Sequence, residues 1–555
     1  VNVFNFFSVS GGFAFVKSEA TVSVLDTKGT VSTEDDVRTD TQVDLLTIGA
    51  SGVNAFAGMN GGTADALGLE LTGVDFALAL ATEKTSSTTK RKWTALQAEA
   101  DGVSFVGVDG LTVSADTLTV EVNKSFTSGT GATAATTIMD FKTKSLDVQT
   151  GPDSKLALNM DGMEGDLIRA KGNLDVNVFN FFSVSGGFAF VKSEATVSVL
   201  DTKGTVATGD DVRTDTLVDL LTIGASNVNA FAGMNGGTAD ALGLELTGVD
   251  FALALATEKT ASATKRKWTA LQADADEVSF VGVDGLAVSA DTLTVEVNRS
   301  FTTTGATPAT TIMDFKTKSL DVQTGPDAKL TLNMDGMEGD LIRAKGHLTL
   351  DVFGFVSVEG GFGFEKSTAS VKVYDATKKT TTDVMTDALV LGLADVNAFA
   401  GYKGDAGEED DIGLKLTNVD FALAMFTEQA AAKRKWTAID SNVGGASFVG
   451  IPDVTLAVDN THIIMNKKAA DNTVIDFKAM QTAGTAYVAT TGVNALGETQ
   501  TVTFSIDGKK GDVLQVYGHA EINFFDFVSV EGGFGFEKST ATVKVYNATT
   551  KTYAD

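Results

Sequence analysis

The sequence predicts an all-β chain, and within that class a β-solenoid or β-helix-like tandem repeat array. Three observations carry the prediction: a strand-type composition, a long internal repeat, and a shorter bent-strand motif inside each repeat.

The composition is that of a folded chain. Of 555 residues, 43% are hydrophobic and 21% charged, enough apolar surface to offset the entropy of ordering. Thr, Val, Phe and Ala recur in short alternating runs, which suit pleated strands. Glycine is abundant (57) and proline scarce (4), as expected of strands joined by tight turns. The net charge of −29 repels phosphate, so no nucleic-acid partner is expected. There is no cysteine, which excludes disulfides, thiolate metal sites and cysteine nucleophiles. No apolar run approaches the roughly 18 residues of a membrane-spanning helix. The chain opens on VNVFNFF and stops at KTYAD, so both ends read as cut from something longer.

The long repeat sets the architecture. VNVFNFFSVSGGFAF begins at Val1 and again at Val176, LDVFGFVSVEGGFGF at Leu350, and INFFDFVSVEGGFGF at Ile522. The division is therefore 1–175, 176–349 and 350–521 for three copies, with 522–555 the start of a fourth. Over the first 123 residues, copies one and two differ at nine positions, among them Ser32/Ala207, Glu34/Gly209 and Gly52/Asn227. Copy three is more divergent but keeps the apolar skeleton. No linker separates the copies: LIRAKGNLDVNVFNFFSVSGGFAF alternates straight through the first junction. β-structure is expected to continue through it, because beads on a string need a composition shift.

Inside each copy a shorter pattern recurs: apolar at i and i+2, small at i+4, apolar at i+7 and i+9. It fits Leu46, Ile48, Ala50, Val53 and Ala55; Leu96, Ala98, Ala100, Val103 and Phe105; and Leu111, Val113, Ala115, Leu118 and Val120. Met139, Phe141, Thr143, Leu146 and Val148 match more loosely. Strand side chains alternate faces, so the odd step from i+4 to i+7 flips the apolar set unless the chain bends or bulges there. The unit is strand–corner–strand with both arms facing one core, and stacked units of this kind make a solenoid. A row of β-sandwich domains is the alternative.

Catalysis finds little support. Of the three histidines, His347 and His519 sit at equivalent junction positions where the first junction has Asn173, and His462 stands alone. A surface histidine on a strand is the plainer reading. Gly11-Gly12 and Gly360-Gly361 lie between strands, without the helix a phosphate loop requires, and read as bends or bulges. No enzyme and no organic cofactor are expected.

Calcium is the ion the sequence nominates, since it takes about six to eight oxygens from carboxylates and turns. The candidate ligands are Asp161 and Asp166, Asp335 and Asp340, and Asp507 and Asp512 in three equivalent Gly-containing turns, with Glu408, Glu409, Asp410 and Asp411 in a loop peculiar to copy three. Lys509 and Lys510 stand inside the third turn, and solvation alone accounts for acidic clusters of this kind, Glu34, Asp35 and Asp36 included. The candidate partner contacts are the basic clusters before each tryptophan: Lys90, Arg91 and Lys92; Lys265, Arg266 and Lys267; Lys433, Arg434 and Lys435. Basic groups on an acidic chain suit anionic polysaccharide, a cell-surface ligand or acidic loops of a neighbouring chain. The plainer reading is a charged loop leading into a strand with a core tryptophan. Asn123, Asn298 and Asn547 head glycosylation sequons.

FVSVEGGFGFEKS, LADVNAFAG, LKLTNVDFALA and ASFVGIPDVTLAV together resemble repeats of very large bacterial surface and secreted proteins. The resemblance covers nearly the whole chain and recurs in every complete copy. It implies an extracellular or cell-surface location, great chain length, and a structural or adhesive role in fibres or matrix. It carries no catalytic motif, and the nonapeptide calcium repeats of such proteins are missing. The expectation is therefore a structural or adhesive extracellular segment that self-associates into a filament or array. A polysaccharide- or cation-binding surface module is the alternative.

Overall fold

The computed structural model describes residues 2–3, 7–128, 137–205, 208–260, 262–302, 310–403, 411–539 and 544–554. Copy one supplies β1 (Asn2–Val3), β2 (Phe7–Asp26), β3 (Val37–Met59), β4 (Leu67–Glu83), β5 (Lys90–Val106), β6 (Leu111–Ser128), β7 (Thr137–Met139), β8 (Leu146–Gln149) and β9 (Lys155–Leu158), and the first junction is β10 (Leu167–Val178). Copy two repeats the series as β11 (Phe182–Asp201), β12 (Val212–Met234), β13 (Leu242–Glu258), β14 (Arg266–Val281), β15 (Leu286–Thr302), β16 (Thr311–Met313), β17 (Leu320–Gln323) and β18 (Lys329–Leu332), followed by the junction strand β19 (Leu341–Val352). Copy three follows as β20 (Val356–Asp375), β21 (Thr380–Tyr402), β22 (Ile412–Glu428), β23 (Lys435–Val449), β24 (Val454–Lys467), β25 (Thr473–Ile475), the short helix α1 (Phe477–Thr482), β26 (Val488–Val493), β27 (Thr499–Thr503) and β28 (Val513–Phe524), with β29 (Val528–Lys538) beyond.

The chain is all-β and, among the described residues, twenty-three strands belong to one antiparallel sheet. The expected solenoid is not what the pairings show. In a solenoid each strand lies beside the equivalent strand one turn later, whereas here chain neighbours pair as a meander: β2 with β3, β3 with β4, β4 with β5 and β5 with β6. Short turns between long strands favour this outcome, because antiparallel partners need only a tight connection.

The chain divides into two compact units, one of Val1–Asp201, Val212–Ala275 and Asn298–Met337, the other of Thr202–Asp211, Asp276–Val297 and Glu338–Asp555. In the first unit, the copy-one meander curls until β7 pairs with the end of β2, Met139 opposite Val24. The core lies inside this curl: Val24, Val43, Ala77, Ala79, Ala95, Met139, Val148, Leu158 and Leu167 are fully buried, with Trp93 almost so. Copy two builds the same core around Trp268. The second unit holds the copy-three core around Trp436, Phe426, Phe477 and Phe504. The β8–β9 hairpin plugs the copy-one core, and its backbone crosses Gly49 so closely that a Cβ there would lie 2.2 Å from the Gln149 carbonyl oxygen.

The junctions are continuous strand. Within the first unit, β10 pairs with β6 of copy one on one side and β11 of copy two on the other. Within the second unit, β28 does the same for β24 and β29. The sequence boundaries after residues 175, 349 and 521 fall inside β10, β19 and β28.

Two of the three predicted corners appear as register shifts, while the second motif, Ala100 to Val103, keeps its register against β4 and β6. The β3–β4 register shifts between Ala50 and Val53, where the first motif places its bend. The β6–β10 register shifts beside the third motif, between Lys171 and Asn173. The glycine pairs are bulges too, with shifts between Ser10 and Gly12 and between Glu359 and Gly361. The face assignment differs. On β3 the buried side chains before the bend are Thr41, Val43, Leu45 and Thr47, while Leu46 and Ile48 are only half-buried. On β5 they are Trp93, Ala95 and Gln97 rather than Leu96 and Ala98. The loose fourth match spans the turn between β7 and β8 and is no strand.

The first corner of each copy turns on a left-handed residue held by a side chain of the facing strand. Gly52 (φ 57°), Asn227 (51°) and Asp395 (52°) occupy equivalent places. Their N–H groups donate to Asp75 (2.6 Å), Asp250 (2.7 Å) and Asp420 (3.0 Å). Gly, Asn and Asp are the residues that tolerate this conformation, which explains the Gly52/Asn227 difference between otherwise matching copies. Gly52→Asn should leave the urea midpoint of copy one unchanged, and Gly52→Val should lower stability by about 1–2 kcal/mol. Equal loss in both variants would refute this account of the corner.

Candidate functional site

The basic clusters contribute an internal lock. Arg91 reaches back across the β4–β5 hairpin to Glu83, donating from Nε (3.0 Å) and Nη2 (2.6 Å), and its guanidinium lies 5.3 Å from the Trp93 ring centre. Arg266 repeats this with Glu258 and Trp268, and Arg434 with Glu428 and Trp436. A planar fork matches a carboxylate and stacks on an indole, so arginine suits the place. The hydrogen bonds from Arg91 hold the Glu83 carboxyl below its ordinary value, and Arg266 and Arg434 do the same for Glu258 and Glu428. Lys92, Lys267, Lys433 and Lys435 are exposed, whereas Lys90 and Lys265 are half-buried. The clusters therefore present lysines outward, with their arginines turned to the chain itself.

The acidic turns are short 3-10 turns capped by their first aspartate. Asp161 Oδ1 accepts from the Met163 N–H (2.9 Å) and Oδ2 pairs with Lys142 Nζ (2.6 Å). Asp335 does likewise with Met337 and Lys316, and Asp507 with Lys509 and Lys478. Asp166 accepts from the Ser125 N–H and Asp512 from that of Lys468; Asp340 also has an interaction partner. Among the described residues no three or more His, Asp or Glu side chains are grouped to hold a metal ion. Glu408, Glu409 and Asp410 lie outside the described residues, and Asp411 is half-buried just before β22.

Buried charge sits elsewhere. Asp140 is 1% exposed and accepts from Arg38 Nε (2.7 Å), Thr143 Oγ1 (2.8 Å) and the Gly162 N–H (3.3 Å). Burial pushes its carboxyl up, but the hydrogen bonds from Arg38, Thr143 and Gly162 outweigh it, and the net displacement is downward. Asp314 with Arg213 repeats the arrangement. In copy three Asp476 instead caps α1, accepting from the Ala479 and Gly508 N–H groups, and Thr381 stands at the arginine position. The readable signal was an aspartate inside an apolar run, Met139-Asp140-Phe141, kept in every complete copy.

The junction strands carry a second set. Arg169 of the first unit donates to Glu121 (2.6 Å) and to Glu164. Arg343 of the second donates to Glu296 (2.9 Å), Glu338 (2.5 Å) and Glu365 (3.0 Å). Burial pushes the Glu164 and Glu338 carboxyls up despite their arginines. Where copy three ends, Gln515 takes the arginine place and donates to Glu537 (2.6 Å).

At the junctions the equivalent side chains face an aspartate of the neighbouring strand, with His347 Nδ1 buried and making no hydrogen bond among the described residues. Asn173 Nδ2 donates to Asp116 (2.7 Å), His347 Nδ1 lies 3.5 Å from Asp291, and His519 Nδ1 lies 3.3 Å from Asp459. His347 is only 6% exposed, so the surface reading is wrong for it: the ring fills the junction beside a corner. His347 also lines a shallow cleft of the second unit with Glu359, Asp395, Asn397, Asn494 and Leu496. Of the sequon asparagines, Asn123 and Asn298 are fully buried. They donate to the Met139 and Met313 carbonyls (both 2.8 Å), bridging the meander to β7 and β16, and the folded chain cannot present them to a glycosyl donor. Asn547 is exposed.

No protein-family model matches the sequence, and no curated protein shows significant similarity to it.

Proposed function

We propose that this chain is a length-building segment of an extracellular, cell-surface fibre or matrix protein, acting as a scaffold and adhesive surface rather than as an enzyme. The observation that carries the reading is the shared junction strand. β10 belongs to the hydrogen-bond ladders of two successive copies, as does β28. Added copies then extend the chain with a strand shared at each join and no linker, which suits a fibre. The charge of −29 supports it, because like-charged surfaces resist lateral clumping.

The adhesive half rests on the junction turns. Phe179 and Phe181 in the first unit are 54% and 59% exposed, and Phe353 and Phe355 in the second are 58% and 57% exposed. Apolar side chains grouped on a soluble surface mark contact sites, and repetition multiplies weak contacts into avidity. The outward lysines beside the buried tryptophans supply the charge that an anionic polysaccharide would meet.

Antibodies against residues 176–349 should label intact, unpermeabilised source cells, and brief protease treatment of those cells should remove the signal. Labelling that appears only after permeabilisation would overturn the proposal.

A further inference from the structure

We infer that Tyr517 is an activated nucleophile that accepts an acyl group from an activated acyl donor, with His462 as its base and Asp440 orienting that base.

Three neighbouring strands of the second unit build the constellation. Tyr517 on β28 lies directly opposite His462 on β24. His462 pairs with Asn442 of β23, so Asp440, two residues away, shares its face. His462 Nε2 is 2.7 Å from Asp440 Oδ1, and Nδ1 is 2.5 Å from the Tyr517 hydroxyl. An ionised carboxylate only accepts, so Nε2 carries the ring proton and the Nδ1 lone pair meets the phenol O–H. A nucleophile bonded to a base that a third group orients is the arrangement that activates side-chain oxygens. Asp440 is 6% exposed, which shields its bond from water, while Tyr517 is 46% exposed and open to a reagent.

The constellation belongs to copy three alone. Copy one has Gln97, Thr119 and Lys171 at these places, and copy two has Gln272, Thr294 and Lys345. In copy one Lys171 Nζ donates instead to the Pro326 carbonyl (2.6 Å). Three positions on three strands thus differ together, each change supplying one member of the relay.

The step balances without a further reactant. The phenol oxygen attacks the acyl carbon and a C–O bond forms. The bond from that carbon to the leaving group breaks, and the leaving group departs with the electron pair. The phenolic proton passes to His462 Nδ1 and on to the leaving group, and the chain is left carrying an aryl ester.

The test treats the whole 555-residue chain with N-acetylimidazole at neutral pH and follows each tyrosine by peptide mass spectrometry. Tyr402, Tyr546 and Tyr553 are 55%, 50% and 68% exposed and serve as internal references without a histidine relay. Tyr517 should acetylate at least about tenfold faster than each, a modest fraction of what a positioned base supplies. H462Q should bring Tyr517 to the reference rate with the circular dichroism spectrum unchanged, and D440N should slow it as well. A wild-type Tyr517 no faster than the three references overturns the inference, even if a variant misfolds. So does an H462Q chain in which Tyr517 keeps its rate.

Discussion

Replacing Gly49 by valine should melt the core of copy one at clearly lower denaturant than wild type. A Cβ at this position would meet the Gln149 carbonyl oxygen at 2.2 Å and the Thr150 Cα at 3.0 Å. Both are backbone atoms of the plug region, so no side-chain rotation relieves the clash. Either the β8–β9 hairpin lifts off the core or β3 distorts, and overpacking of this kind costs about 3 kcal/mol. The hairpin brings Val148 and Leu158, so lifting it also exposes the curl that surrounds Trp93. The chain has three tryptophans, one in each complete copy, so a background with Trp268→Phe and Trp436→Phe reads copy one by itself. The Trp93 emission should shift to the red at lower urea in Gly49→Val. An unchanged midpoint would show that the plug does not hold the core.

The second large effect concerns Asp140 and acid. Its carboxyl is held below the ordinary value in the folded chain, against about 3.9 when unfolded. A group depressed on folding stabilises the fold above its unfolded value, and that stabilisation disappears as pH falls through the folded value. Asp140→Asn should therefore cost about 1.5–3 kcal/mol at pH 7, the range for a hydrogen bond to a charged group. The gap between variant and wild type should hold from pH 7 to about pH 5 and narrow below about pH 4. A gap constant down to pH 2, measured by urea titration at each pH, would show that packing and not the Arg38 pair carries the loss.

The repeat, the absence of linkers and the bends were legible because each leaves a pattern along one dimension. The odd step between Ala50 and Val53 located a real bulge. The buried face was misread because both faces of the arms are apolar, and hydrophobicity favours the larger side chains. Inside the curl there is room for Ala77, Ala79 and Ala95 around Trp93, so the core takes the small residues. Leu46 and Leu96 go to the other face, half-buried. The meander escaped for a related reason: a strand–corner–strand motif fits a solenoid rung and a bent hairpin equally well, and only the partner strand decides. The basic clusters were noticed for their charge, yet their arginines find Glu83, Glu258 and Glu428 eight or six residues earlier. The Asp440–His462–Tyr517 relay left no local signal, since its members come from three strands and span 440 to 517. His462 was visible only as a lone histidine.

The junction strand also bears on how such a chain changes length across generations. Copies one and two are nearly the same sequence over their first 123 residues, so genes encoding them offer long stretches for unequal recombination. A crossover at any matched point deletes or inserts one whole period, and the new join falls where an equivalent join already exists. Because β10 serves the ladder before it and the ladder after it, the product has neither an orphaned strand nor a redundant one. Length can then vary in steps of about 175 residues with the sheet intact, whatever the phase of the exchange.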